Sequence, residues 1–201
     1  MSWEIYYEKN KGRPLRPLYS QAVSFLNPSA KKAADLGCGV GTEVLDLLQR
    51  GFEVHALDQE AKSIEHVTQL TQAHCSRLHT HISSLENWEV WPKVDFLFAY
   101  HSFPFCSADQ FDAVIEKSLS SVAPGGIYAV SFFGPEDEWV KENKVVGISA
   151  DDVKEKLHGF NILHFEEIKK IGPTVLQGRK MWNIIDVIAR RKTYVSAMFP
   201  A

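Results

Sequence analysis

Lys31-Lys32-Ala33-Ala34-Asp35-Leu36-Gly37-Cys38-Gly39-Val40-Gly41-Thr42-Glu43 is the stretch that decides the fold. A short apolar run, Ala33, Ala34 and Leu36, leads into glycines at three alternate positions, Gly37, Gly39 and Gly41. Residues 43–50 follow with helical character. Strand, glycine turn and helix in that order open a nucleotide-binding βαβ unit. Among such glycines, one permits backbone dihedrals closed to residues with a Cβ, and another lets main chain press against a ligand. The helix that begins there offers unpaired N–H groups and a positive dipole end.

Spacing decides the ligand. A dinucleotide fingerprint, Gly-x-Gly-x-x-Gly/Ala, needs Gly or Ala where Thr42 stands, and counting from Gly39 puts Val44 on the last glycine. An NAD(P) oxidoreductase is therefore disfavoured. Asp35-Leu36-Gly37-Cys38-Gly39-Val40-Gly41 instead resembles motif I of the class I S-adenosylmethionine (SAM) methyltransferases, without a gap. The resemblance implies SAM as cofactor, held by a loop that includes Asp35, Gly37, Cys38, Gly39, Gly41 and Thr42. Downstream, Val54, Ala56 and Leu57 form a short buried-strand pattern that Asp58 closes, 21 residues after Gly37. An acid at the end of a second strand accepts hydrogen bonds from ribose hydroxyls. The other reading of Asp58 is an N-cap for the helix starting near Glu60. Gln59, beside it, joins the expected cofactor site.

Outward from this core, residues 17–27 have helical spacing and stop at Asn27-Pro28-Ser29. Residues 60–74 carry Ala61, Ile64, Val67 and Leu70 at steps of three, an amphipathic helix. Strands are predicted over 77–83, 94–100 and 127–133. A helix over 109–122 precedes the last of these, stopped by Pro124-Gly125-Gly126. A helix over 149–158 and strands over 161–166 and 182–189 complete the chain. Strands this far apart cannot form hairpins, so the prediction is an α/β, doubly wound, mostly parallel sheet with helices on both faces. In the class I methyltransferases a closing antiparallel pair brings the sheet to seven strands, and the Lys180-Met181-Trp182-Asn183-Ile184 ending resembles their last strand.

In such sheets ligands lie beyond the carboxyl ends of the strands. After the third strand the family commonly has an acid for the adenine amino group, then a residue whose backbone N–H meets the ring. Ser84 and Leu85 hold those positions, and a hydroxyl accepts more weakly than a carboxylate. Glu86 is a possible substitute. Tyr100-His101-Ser102-Phe103-Pro104-Phe105-Cys106 follows the fourth strand, at the topological switch. It resembles a segment of the small bacterial tellurite-resistance-type methyltransferases, as do the Gly125-Gly126 turn and the loop from Phe133 to Trp139. Tyr100 is expected at the cofactor, and His101 is the candidate general base because an imidazole titrates near neutral pH. Its other reading is a histidine that caps a strand or bonds to backbone. Tyr6, Tyr7, Phe103 and Trp139 are candidates for acceptor-pocket walls or for core packing.

Residues 1–16 mix aromatics with bases: Trp3, Tyr6, Tyr7, Lys9, Lys11, Arg13 and Arg16. That composition fits a nucleic-acid arm or a segment folded over the sheet edge. The resemblance implies a lid, in which Tyr7 closes over the cofactor and Arg13 makes a two-point contact with its carboxylate.

The 201 residues suffice for one domain, residues 1–201, with little room for a second. A net charge of −3 argues against a general affinity for nucleic acid or anionic membrane. The N-terminus has neither the basic start nor the apolar core of a signal peptide, and no run is long enough to span a membrane. Three scattered cysteines, Cys38, Cys75 and Cys106, fit a reducing cytoplasm. Cys38 reads as packing, although a helix N-terminus can make a thiol reactive. His79 and His81 share a face of the third strand, with His74 and Cys75 nearby, but no ligand-spacing signature is present and no metal is expected. The chain thus reads as a cytoplasmic SAM-dependent methyltransferase with a small-molecule acceptor, a monomer or small homo-oligomer. Alternatives are methylation of a protein or nucleic acid, and a SAM-binding protein without turnover.

Overall fold

The computed structural model describes residues 3–175 and 178–193, with side chains from residue 7 onward. Tyr6, one of the candidate wall residues, therefore lies outside the described side chains. Seven strands form one sheet: β1 (Lys32–Leu36), β2 (Glu53–Asp58), β3 (Leu78–Ile82), β4 (Val94–Tyr100), β5 (Val122–Phe133), β6 (Phe160–Pro173) and β7 (Arg179–Arg191). Their order is β3-β2-β1-β4-β5-β7-β6. The first five are parallel, and β7 inserts antiparallel between β5 and β6. The strand order reverses between β1 and β4, and there the loops after the two strands diverge to leave a crevice.

Helices α1 (Trp3–Asn10), α2 (Pro17–Val23), α3 (Thr42–Gln49), α4 (Ala61–Leu70), α5 (Phe111–Ser121), α6 (Glu138–Lys141) and α7 (Ala150–Lys156) complete the described chain. The apolar stripe Val44, Leu47 and Leu48 of α3 joins Leu18 and Ala22 of α2 and Ile64 and Val67 of α4 in one buried layer. A second layer, on the other face, takes Phe111, Val114, Ile115 and Leu119 of α5 and Val153 of α7. The central strands serve both layers: Phe96 and Phe98 of β4 enter the first, and Leu97 and Ala99 the second. That is why 96–99 is apolar without alternation.

The expected bounds of three strands are corrected. Strand five starts at Val122 and runs through Pro124-Gly125-Gly126, with a register shift against β4 that absorbs the irregular backbone. β6 and β7 are much longer than their apolar cores suggest, because they pair with each other beyond the body of the sheet as far as Pro173 and Arg179. The wall candidate Phe103 is fully buried in the second layer, against Phe132 at 5.4 Å. The segment from Tyr7 onward is not a free arm. Helix α1 approaches the ends of β2 and β6, with Tyr7 Oη donating to Asp58 at 3.5 Å and Lys9 Nζ to the Val175 carbonyl at 2.7 Å. Among the described residues no helix is long and apolar enough to cross a membrane.

Beside the crevice, Lys180 of β7 is a buried cation. It donates to Asp137 and lies over the rings of Phe133, Trp139 and Trp182, at 5.0, 4.3 and 3.9 Å. Asp137 also caps α6 through the Trp139 N–H (3.0 Å) and accepts from the Asn183 N–H (3.1 Å). Removing one member of such a pair strands the other charge, at a cost of about 3–5 kcal/mol. Asp137→Ala is expected to lower Tm by about 10 °C, measured by thermal unfolding. A fall of only a degree or two would mean that the ammonium escapes to solvent.

Candidate cofactor and acceptor site

The glycine loop is built by close approach. Gly37 has φ 75°, and a Cβ there would lie 2.3 Å from Ser102 Oγ. Ser102 in turn donates to the Leu36 carbonyl at 2.5 Å, so the end of β4 is clamped against the end of β1. The N–H groups of Gly37 and Cys38 donate to the Leu57 carbonyl at 2.8 and 3.0 Å, tying the loop to β2. Gly39 N–H donates to Asp58 Oδ2 at 2.9 Å, and Asp58 Oδ1 accepts from Glu60 N–H at 3.0 Å. Asp58 thus organises the start of α4 as well as facing the crevice, and its lone pairs leave acceptor capacity for a ligand.

A cavity of about 300 Å³ runs along the strand ends. Of the residues expected at the cofactor, Tyr7, Gly37, Gly39, Asp58, Gln59, Ser84, Leu85 and Tyr100 line it, and so does His101. Beyond Tyr100 its walls are Phe105, Cys106, Phe133, Trp139 and Trp182. Arg13, Asp35 and Cys38 line a small adjoining cavity that shares Gly37, Gly39, Arg16 and Tyr100 with the large one. Gly41 and Thr42 line neither. Gly41 turns the chain at φ 73° with Val67 2.7 Å from where its Cβ would be, and Thr42 opens α3. They shape the loop rather than face the cavity. The Cys38 thiol is buried, and that burial, followed by Asp58, raises its pKa, which removes the reactive-thiolate option.

Asp35 is buried, and its Oδ2 has no hydrogen-bond partner among the described residues. Burial first, then Glu43, push its carboxyl up, and Arg13 opposes them. A carboxylate in this state fits a cationic partner such as an amino acid ammonium. Arg13 makes its two-point contact with Glu43, at 2.7 and 2.5 Å, and not toward the large cavity. The reason is that Glu43 is itself buried and needs a counter-charge. Arg16, which the sequence marks only as one more base, lines the large cavity with its guanidinium 4.7 Å from the Tyr100 ring centre.

Ser84 Oγ accepts from the Asn87 N–H at 3.4 Å. Glu86 lines the same cavity and accepts from the Ser107 N–H at 2.6 Å. Burial opposes its charge, but hydrogen bonds from its own amide and that of Ser107 outweigh this and lower its pKa. An anionic carboxylate is therefore present near Ser84. Sequence spacing could not reveal that Arg16 and Trp182 line the cavity, because tertiary packing brings the start of α2 and strand β7 to it.

His101 has φ 56° and sits between Tyr100 (4.1 Å between ring centres) and Trp182 (5.9 Å), with Phe133 edge-on at 4.9 Å. Its Nε2 is buried without a hydrogen-bond partner among the described residues. Burial, then Arg16 and Lys180, push its pKa down to about 3. The ring is neutral at neutral pH, and titration near 7, the property that nominated it as a base, is lost. Unfolded, the imidazole titrates near ~6.5. Between about 3 and ~6.5 only the unfolded chain takes the proton, so stability falls as pH drops through that window. His101→Asn removes the titration and tolerates the positive φ. It is expected to flatten the fall of the urea midpoint between pH 7 and pH 4, whereas equal slopes would mean that the ring titrates normally.

The family model described as tellurite resistance protein TehB matches residues 3–181. An uncharacterized protein of Haemophilus influenzae is 31% identical over 102 residues, 48% of this chain and 36% of that protein, so the match spans about a third of the relative's length. Among solved structures, TehB from Haemophilus influenzae aligns over 94% of this chain and 67% of its own, with TM-score 0.76 and 18% identity. Magnesium protoporphyrin IX methyltransferase (ChlM) from Synechocystis PCC 6803, solved with bound SAH, aligns over 94% of each chain, with TM-score 0.67 and 15% identity. The fold is the Rossmann-like fold of the class I SAM-dependent methyltransferases, and the chain belongs to the tellurite resistance protein TehB family.

Proposed function

We infer that this chain transfers the methyl group of SAM to a small-molecule acceptor, leaving S-adenosylhomocysteine (SAH). The observation that carries the reading is the continuous crevice. Acids fit the polar parts of the cofactor along one half of it, and aromatic rings wall the other half. Asp35, with its unpartnered oxygen, takes the ammonium, and Arg16 takes the carboxylate. Arg13, paired with Glu43, supports that end of the site. Asp58 and Gln59 hold the ribose hydroxyls. Glu86 accepts from the adenine amino group in place of the acid missing at Ser84, and the Leu85 backbone meets the ring. Gly37, Cys38 and Gly39 give the main-chain surface along which the cofactor lies. Residues 1–16 act as the lid of a single methyltransferase domain, with Tyr7 over the ribose end.

When bound, SAM supplies an electrophilic methyl group, and the protein's task is alignment and exclusion of water, which can contribute about 7 kcal/mol or more. Tyr100 and His101 stand where the two halves of the crevice meet. A neutral His101 positions the acceptor by hydrogen bonding through Nε2 and is a weak base. Phe105, Phe133, Trp139 and Trp182 favour an acceptor with a flat apolar body. ChlM, named for a porphyrin, has the same fold, which supports a small-molecule acceptor for this one.

Titration calorimetry tests the cofactor half. Both SAM and SAH are expected to bind, and no heat with either would overturn the reading. Asp58→Asn is expected to weaken SAH about 10-fold or more, since hydrogen bonds to a charged group contribute about 1.5–3 kcal/mol. Release of SAH with a panel of flat heteroaromatic acceptors tests the transfer half. Binding without release on any acceptor would leave a SAM-binding protein without turnover.

A further inference from the structure

On the face of the sheet at β2 and β3, Glu53, His55 and His79 each offer a ligand atom, and these atoms all lie within 4.8 Å of one another. We propose that this trio is a binding site for a divalent first-row transition cation such as Zn²⁺.

Strand pairing builds the site. His55 and His79 are register partners across the parallel pair, and Glu53 lies two residues before His55 on the same face. The two rings stack at 4.7 Å, and His79 Nε2 is 2.9 Å from Glu53 Oε1, so a cation can replace the proton between imidazole and carboxylate. His81, next on that face of β3, places Nε2 3.2 Å from His55 Nδ1. With Nδ1 as donor, His55 keeps its lone pair on Nε2. This is the outer hydrogen bond that commonly orients a metal-binding histidine. Two imidazoles and one carboxylate suit zinc and neighbouring ions, with bonds of about 2.0–2.2 Å. Small side-chain rotations close the remaining gaps, since His79 and Glu53 are both well exposed. Lys32, 3.8 Å from the other Glu53 oxygen, must yield.

None of these groups lines the crevice. His55 lies three residues before Asp58 on β2, about 10 Å along the strand. The cation would therefore act structurally. It would pin β3, the edge strand, to β2 ahead of the 83–86 loop that borders the cavity. The proposal is independent of the methyl-transfer reading.

Untagged protein titrated with Zn²⁺ alone is expected to bind one ion per chain in calorimetry. Saturating Zn²⁺ is expected to raise Tm by about 3 °C or more. His55→Asn and His79→Asn should each weaken binding at least 10-fold, while Cys75→Ala and His74→Ala leave it unchanged. Binding that survives both histidine substitutions, or is lost with Cys75 or His74, overturns the site. If either histidine variant fails to fold, wild-type protein decides. Co²⁺ must broaden the imidazole signals of His55 and His79 before those of His66 and His158 in NMR spectra, and the reverse order refutes the proposal.

Discussion

The main chain at Gly37–Gly39 is pressed between three strand ends, and the geometry of the crevice depends on that compression. Ser102 occupies the space a side chain at 37 would need, and its hydroxyl bonds the Leu36 carbonyl. The Leu57 carbonyl takes two loop N–H groups, and Asp58 takes a third. These contacts bring the ends of β1, β2 and β4 to one rim. The side chains of the rim then face a common space without any of them filling it.

Charge is distributed around that space in a consistent way. Arg13, itself half-buried, pairs with buried Glu43 at one end, and Lys180 with Asp137, both buried, at the other. Among the described residues, Asp35 Oδ2 and His101 Nε2 are buried without a hydrogen-bond partner and belong to residues lining the two cavities, while Trp91 Nε1 and Ser121 Oγ are such atoms away from them. In a folded interior such atoms are costly and are normally paired. Burial, with Arg16 and Lys180 adding to it, pushes the pKa of His101 down to about 3, and Arg16 also lines the large cavity.

Much of the architecture was legible in the chain. The run 94–100 reads as a strand with the boundaries observed, because a strand buried on both faces needs no partner-specific information to be apolar. The resemblance of residues 35–41 to motif I, together with Asp58, points to the end of the sheet where the cavity lies. Pro124-Gly125-Gly126 misleads, since a proline and two glycines normally interrupt a strand, and here pairing with β4 through a register shift holds them in β5. Arg190 donates to the Phe25 carbonyl, and Arg191 donates to those of Leu119 and Val122, which ties β7 to α5. Those acceptors lie far away in the chain, so no local pattern announces them.

By itself the sequence determined the βαβ opening and the parallel core, because glycine spacing and apolar periodicity are local consequences of backbone sterics and burial; the class of ligand loop came from the resemblance of residues 35–41 to motif I. Only the tertiary structure decided that Arg16 lines the large cavity while Arg13 pairs with Glu43, and that burial lowers the pKa of His101. It also decided that Glu53, His55 and His79 meet. Each of these depends on distances and dielectric surroundings set by strands that pair across long stretches of chain, and spacing along the sequence carries no record of them.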